Sequence, residues 1–190
     1  SPPRPRGEQG ELNVNLGCGD TIHPQFVNVD WLPGPDIHYL RQIDRLPYLK
    51  TSSVDLLYAS HCLEHFSFLR TAEILEEWFR VIKPGGRLRL SVPDFDKLLN
   101  IYQDQDHDVH SIMKQLMGGQ TYSLNYHYTI FTRPYLTDLL KSAGFESVSS
   151  WDLEANPLHC EDMSSYCKEI DGVTYPVCLN LDAVKPLATP

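Results

Sequence analysis

Two glycines and a carboxylate are the residues whose types and spacing bear most directly on chemistry. Leu12, Val14 and Leu16 alternate with Asn13 and Asn15 and the apolar run then stops at Gly17-Cys18-Gly19, the signature of a strand ending in a glycine turn. Glycine takes the positive φ that such turns require and bares backbone N–H groups to a ligand. Phe26 to Asp30 (FVNVD) reads as a second strand with an acid at its carboxyl end. In nucleotide-binding α/β folds an acid there accepts hydrogen bonds from ribose hydroxyls while the glycine turn faces the neighbouring part of the ligand, so a nucleoside-containing ligand follows. Asp30 comes eleven positions after Gly19, whereas a dinucleotide-binding unit places its acid about 20 residues on. A three-turn helix needs about eleven residues plus connections. The first helix must therefore be shortened or missing, and Ile22 stands where the third glycine of GxGxxG would be. Both features argue against a nicotinamide or flavin dinucleotide.

The elements that must position these groups follow in order. Ile37 to Leu40 is a short third strand after the Leu32-Pro33-Gly34-Pro35 turn, and Val54 to Ser60 a fourth with Asp55 at its amino end. Ile74, Leu75, Trp78, Phe79 and Ile82 mark one face of a helix over 71–82, which makes its aromatics core. Lys83-Pro84-Gly85-Gly86 is expected to end that helix with a turn before a strand from Arg87 to Val92. The alternation of Arg87, Arg89 and Ser91 reads as an edge of the sheet, packed by a helix on Leu88 and Leu90. Thr132 can cap a helix with Leu136, Leu139, Leu140 and Ala143 on one face. Residues 145–151 and 177–184 close the pattern as two strands, and the polar stretch from Asp152 to Pro176 receives no role.

Taken together, NLGCG, NVD, the LEH of Leu63-Glu64-His65, KPGG, PDF and LTDLLKSAGF resemble the class I S-adenosylmethionine-dependent methyltransferases, particularly a small bacterial type. The resemblance spans roughly Leu12 to Trp151. It implies a Rossmann-like seven-stranded, mostly parallel sheet with an antiparallel C-terminal strand, helices on both faces and S-adenosylmethionine as cofactor. It further implies that Gly17, Cys18, Gly19 and Asp30 meet the cofactor, with Trp31 against adenine or else filling the sheet edge. The loop 43–48 would enclose adenine through Leu46 and Asp44, the latter preferred over Gln42. Ser60 and His61 leave the fourth strand beside the cofactor's reactive side, while Glu64 and His65 correspond to a pair that starts a helix. Asp94 in Pro93-Asp94-Phe95 either orients a substrate hydroxyl or caps the next helix. Asn15 replaces the usual acid two residues before the first glycine, leaving the cofactor's methionine end without its customary partner.

Residues 100–133 exceed what a strand-to-helix connection needs and read as a substrate cover. Within them Tyr126 and Tyr128 are candidate substrate contacts, and His127 borders the active site in the resembled family. An imidazole titrating near neutrality can take a proton from an attacking hydroxyl. The alternative for His127 is a ring hydrogen-bonded between aromatic neighbours that fixes the loop.

Composition bounds the rest. The 190 residues, 42% of them apolar, suit one domain over 11–190 behind a Pro-rich tail over 1–10. A formal charge of -9 opposes nonspecific binding to nucleic acid or an anionic membrane, so a small-molecule acceptor is expected; a histidine base suits an oxygen acceptor, a hydroxyl of a sugar or secondary metabolite, better than a guanidine or thiol. No apolar run is long enough to span a bilayer, and five cysteines without CxxC pairs suit a reducing, cytoplasmic setting. Oligomeric state is not legible. No metal site is expected: His159, Cys160, Cys167 and Cys178 match no compact zinc spacing, and Asp104, Asp106, His107, Asp108 and His110 read as a solvated turn. The alternatives to an enzyme of this type are a cofactor-binding module without turnover and, less well supported, a nicotinamide-dependent dehydrogenase.

Overall fold

The computed structural model describes residues 5–155 and 162–187. Its main sheet comprises β1 (Asn13–Leu16), β2 (Phe26–Asp30), β3 (Tyr39–Leu40), β4 (Val54–Ser60), β5 (Ile82–Pro93), β6 (Glu146–Ser150) and β9 (Cys178–Val184), in the order β3-β2-β1-β4-β5-β9-β6. The first five strands run parallel, and β9 runs antiparallel to both its neighbours. The carboxyl ends of β1, β2, β4 and β5 therefore share one edge. Gly17, Trp31, His61 and Asp94 each follow one of these strands there.

Helices cover both faces. On one, Val14, Val27, Leu57, Leu88 and Leu90 pack against Ile74, Leu75 and Trp78 of α1 (Thr71–Val81) and Leu136 and Leu140 of α4 (Arg133–Ser142). On the other, Leu98 and Ile101 of α2 (Phe95–Asp104) meet Val177 and Cys178. A short helix α3 (Met113–Met117) lies within the cover. Residues 17–25 join β1 to β2 with no helix at all, as the short spacing required.

Three expectations change. Lys83 to Gly86 do not form a separate turn, because β5 begins at Ile82 directly after α1. Ile82 pairs with Val54, the register shifts, and pairing resumes at Leu56 with Arg87; the irregularity is accommodated by Gly85 at φ +78°. Nor is β5 an edge. It lies between β4 and β9, and Arg89 is buried in a two-point ion pair with Asp182, Nε to Oδ1 2.7 Å and Nη2 to Oδ2 2.6 Å. Trp151 stacks beneath the guanidinium, 5.2 Å from its carbon to the ring centroid. Finally, the stretch left without a role contains a hairpin of β7 (Cys167–Ile170) and β8 (Val173–Pro176). Asp171 and Gly172 at its tip both have positive φ, and an Asp-Gly pair is a strong local hairpin signal.

The Arg89 pair generates a stability prediction. Arg89→Leu strands a buried carboxylate and should cost about 3 kcal/mol, less whatever the half-exposed Arg87 recovers from 3.2 Å. The double change Arg89→Leu with Asp182→Leu should restore most of that loss. Urea unfolding of the three proteins checks it, and equal stability of the single and double variants would refute it.

Candidate active site

The glycine turn is held from two sides. The Gly19 N–H donates to Asp30 Oδ2 at 2.8 Å, and the Leu32 N–H to Oδ1 at 2.7 Å. The Cys18 N–H reaches the Val29 carbonyl at 3.2 Å. Asn15, buried beneath the turn, donates its side-chain amide to the Thr21 carbonyl at 2.8 Å. Gly17 and Gly19 both sit in the left-handed region, φ +61° and +51°. A Cβ on Gly17 would come within 2.8 Å of Cys62 Cβ, whereas one on Gly19 would meet nothing within 4 Å. Gly17 is thus required by packing and conformation, Gly19 by conformation alone.

Beside the turn lies a cavity of about 730 Å³ whose walls include Gly17, Gly19, Asp30, Trp31, Asp44 and His61. The loop forming its far wall is stapled to α1. Trp78 Nε1 donates to the Ile43 carbonyl at 2.8 Å, the Leu46 N–H donates to Glu77 Oε1 at 2.7 Å, and Arg80 reaches the Leu46 carbonyl at 3.1 Å. Asp44 is oriented by Arg70, Oδ2 to Nη2 2.8 Å. The cover closes over this cavity through Tyr122, Leu124 and Tyr128.

A second cavity of about 360 Å³ adjoins the first and contains His61, Glu64, His65, His127, Lys114 and Tyr166 among its walls. His61 and His65 line both. His61 leaves β4 at φ +49°, with Nε2 3.2 Å from Cys178 Sγ and Nδ1 3.3 Å from Glu64 Oε1. Burial works against its charged form, but the hydrogen bonds to Cys178 and Glu64 and the charge of Glu64 outweigh burial and raise the His61 pKa. Burial alone would likewise raise the Glu64 pKa, yet the His61 hydrogen bond and the surrounding histidines hold it below the usual glutamate value. His127 is shifted down, chiefly by burial. Its Nδ1 lies 2.9 Å from the Gln115 carbonyl and therefore carries the ring proton, leaving Nε2 with a lone pair. The thiols offer no such chemistry: burial, then the Asp30 charge, pushes Cys18 up to about 12, and burial holds Cys62 well above its usual value.

Residues 16–90 match the methyltransferase domain family. The chain is 30% identical over 144 residues to the ubiquinone/menaquinone biosynthesis C-methyltransferase UbiE of Vibrio vulnificus, an alignment covering 72% of this chain and 49% of that protein. The chain has the Rossmann-like fold of the class I S-adenosylmethionine-dependent methyltransferases, with a methyltransferase-domain match over residues 16–90. It spans about half the length of the curated relatives it matches. Among solved structures, a Methanosarcina mazei S-adenosylmethionine-dependent methyltransferase aligns with TM-score 0.59 at 17% identity, over 94% of this chain and 93% of that one. The 1,6-didemethyltoxoflavin-N1-methyltransferase of Burkholderia thailandensis, solved with 1,6-didemethyltoxoflavin and S-adenosylhomocysteine bound, aligns with TM-score 0.55 at 16% identity, over 96% of this chain and 72% of that one.

The larger cavity fits S-adenosylmethionine. Asp30 spends one hydrogen bond per oxygen on the backbone and retains lone pairs toward the cavity. The cavity volume lies within the usual span for small-molecule sites, and open space faces Gly19. Where the family's customary acid is Asn15, the amide is taken by the loop. Asp20, which the sequence reading passed over, supplies a carboxylate in the same cavity wall.

Several expected contacts lie elsewhere. Leu46 is fully buried in the core, and Ile43 takes its place in the wall. The Cys18 side chain is buried away from the cavity. Ser60 pairs with Ser91 across the sheet and lies outside both cavities, as does Tyr126, which offers its carbonyl to His65 Nδ1 at 3.0 Å. Asp94 is the N-cap of α2, accepting from the Asp96 N–H at 3.2 Å, and burial raises its pKa. Tyr128 lines the larger cavity rather than the smaller one. Asp108 caps a turn by accepting from the His110 N–H at 2.9 Å, in an exposed stretch. Cys167 is exposed and Cys178 buried against His61; His159 and Cys160 lie outside the described residues. Glu64 and Arg70 were missed as site groups, though the buried acid sits in the LEH motif itself.

The glycines carry a paired prediction. Gly17→Ala combines a strained φ with an overlap onto Cys62 and should cost about 2 kcal/mol or more, with S-adenosylhomocysteine affinity falling alongside. Gly19→Ala bears the conformational cost alone, about 1–2 kcal/mol. Thermal unfolding and calorimetric titration of both variants test the order, which a larger effect at Gly19 would reverse.

Proposed function

We propose that this chain transfers the methyl group of S-adenosylmethionine to a hydroxyl of a small molecule, a sugar or a secondary metabolite. The observation that supports it is the meeting of two cavities at shared walls, His61 and His65: the larger beside the glycine turn and Asp30, the smaller beside His127. Asp30 would accept from the ribose hydroxyls, Trp31 and Ile43 would flank the adenine, and Asp44, steadied by Arg70, would meet its exocyclic amine. Asp20 would meet the ammonium. Bound there, the cofactor supplies a methyl group on a sulfonium that is already a good leaving group.

The protein's remaining tasks are positioning and removal of one proton. His127 is suited to the second because its Nδ1 is committed to the Gln115 carbonyl and burial keeps the ring neutral. Tyr166, Lys114 and Asn125 in the same wall offer polar partners to the acceptor. The net charge of -9 favours a neutral or cationic small molecule over nucleic acid or an anionic membrane surface. The similarity to a C-methyltransferase supports a second reading, a phenolic or enolic acceptor methylated on carbon, which the same base would activate.

Assays with methyl-labelled S-adenosylmethionine against a panel of hydroxylated acceptors test this reading. His127→Ala should lower kcat at least about 100-fold while leaving cofactor affinity intact, and Asp30→Ala should weaken cofactor affinity about tenfold or more. Full turnover without His127, or unchanged affinity without Asp30, would refute the corresponding role.

A further inference from the structure

Glu64, His65 and His127 each bring one donor atom within 4.8 Å of those of the other two. Two neutral imidazoles and a carboxylate suit a divalent first-row transition ion, and such ions leave open positions when bound by only three protein groups. We propose that these three residues form a site for a cation of this class, at the wall of the smaller cavity. The inference goes beyond the function proposed above and shares its pocket.

Three observations carry it. First, Glu64 is wholly buried and its Oε2 has no hydrogen-bond partner among the described residues. A buried carboxylate with an idle oxygen is costly unless something compensates it, and His61 at 3.3 Å addresses only Oε1. Second, both histidines are already arranged as ligands. His65 Nδ1 lies 3.0 Å from the Tyr126 carbonyl and His127 Nδ1 2.9 Å from that of Gln115, so each ring is held by its Nδ1–H while Nε2 keeps its lone pair. This is the outer support that metal-binding imidazoles ordinarily have. Their rings meet edge to face at 4.8 Å between centroids.

Third, the three residues come from two segments that the fold ties together. The Tyr128 and Thr129 N–H groups both donate to the Glu64 carbonyl, at 2.8 and 3.2 Å, and the Thr129 hydroxyl donates to the Phe66 carbonyl at 2.6 Å. The ligand set is therefore braced rather than carried on a free loop. A cation here has open positions toward the cavity, where it would hold an acceptor oxygen and acidify its proton. In that state His127 is a ligand, and proton loss from the acceptor no longer depends on its lone pair.

The test uses chelator-treated protein titrated with Co²⁺ and followed by visible absorption. One equivalent should bind with ligand-field bands, and Mg²⁺, which prefers oxygen donors, should not displace it. His65→Ala and His127→Ala should each weaken binding at least about tenfold, while His110→Ala on the exposed turn should not. Should the two variants fail to fold, proton spectra of the unsubstituted Co²⁺ protein decide: two strongly shifted ring Nδ1–H signals are expected. Absence of stoichiometric binding, retained affinity in both variants, or no shifted ring signals would overturn the site. S-adenosylhomocysteine binding by the metal-free protein, measured on the same sample, reports on the methyltransferase reading separately.

Discussion

The Asp30 carboxylate is the clamp on which the cofactor edge of the fold depends. With no helix between β1 and β2, the glycine turn has no rigid element behind it. Its geometry rests on Asp30 accepting the Gly19 and Leu32 N–H groups and on Asn15 holding the Thr21 carbonyl. One carboxylate thereby sets the turn, the end of β2 and the place of Trp31 together. Lacking a helix between β1 and β2, this chain concentrates these tasks in a few side chains.

The second wall is assembled by a different principle. The loop carrying Ile43 and Asp44 has no regular structure, yet Trp78, Glu77 and Arg80 of α1 pin its backbone. α1 is itself fixed by burying Ile74, Leu75 and Trp78 against the sheet. The cover is tied in turn by the Glu64 carbonyl, so the buried segment after β4 positions both the histidines and the residues that close over them. Core packing therefore reaches the site through the backbone N–H and carbonyl groups of its loops.

Much of this was legible in the residues. The alternation of Leu12, Val14 and Leu16, the Gly17 and Gly19 turn, the position of Asp30 and the shortened connection are all local signals, and the structure carries them directly. Leu46 and Cys18 were misplaced because orientation in an irregular loop is set by tertiary contacts: the Leu46 backbone is drawn to Glu77 and its side chain falls into the core. Arg89 read as an edge residue because its partner Asp182 lies 93 positions away, beyond any local pattern. The Glu64, His65 and His127 cluster was hidden for the same reason, since the cover must fold back before His127 meets the LEH segment. The Asp171-Gly172 turn, by contrast, was a local signal present in the sequence and passed over.

The site beside the glycine turn is central to the proposed function as a nucleoside site for S-adenosylmethionine. Calorimetric titration of the unsubstituted protein with S-adenosylhomocysteine, with NADH as the control, tests that directly. Saturable binding of one equivalent of S-adenosylhomocysteine, with no heat from NADH, is the predicted result. Binding of NADH, or of neither ligand, would contradict it and reduce the Asp30 clamp to a structural device.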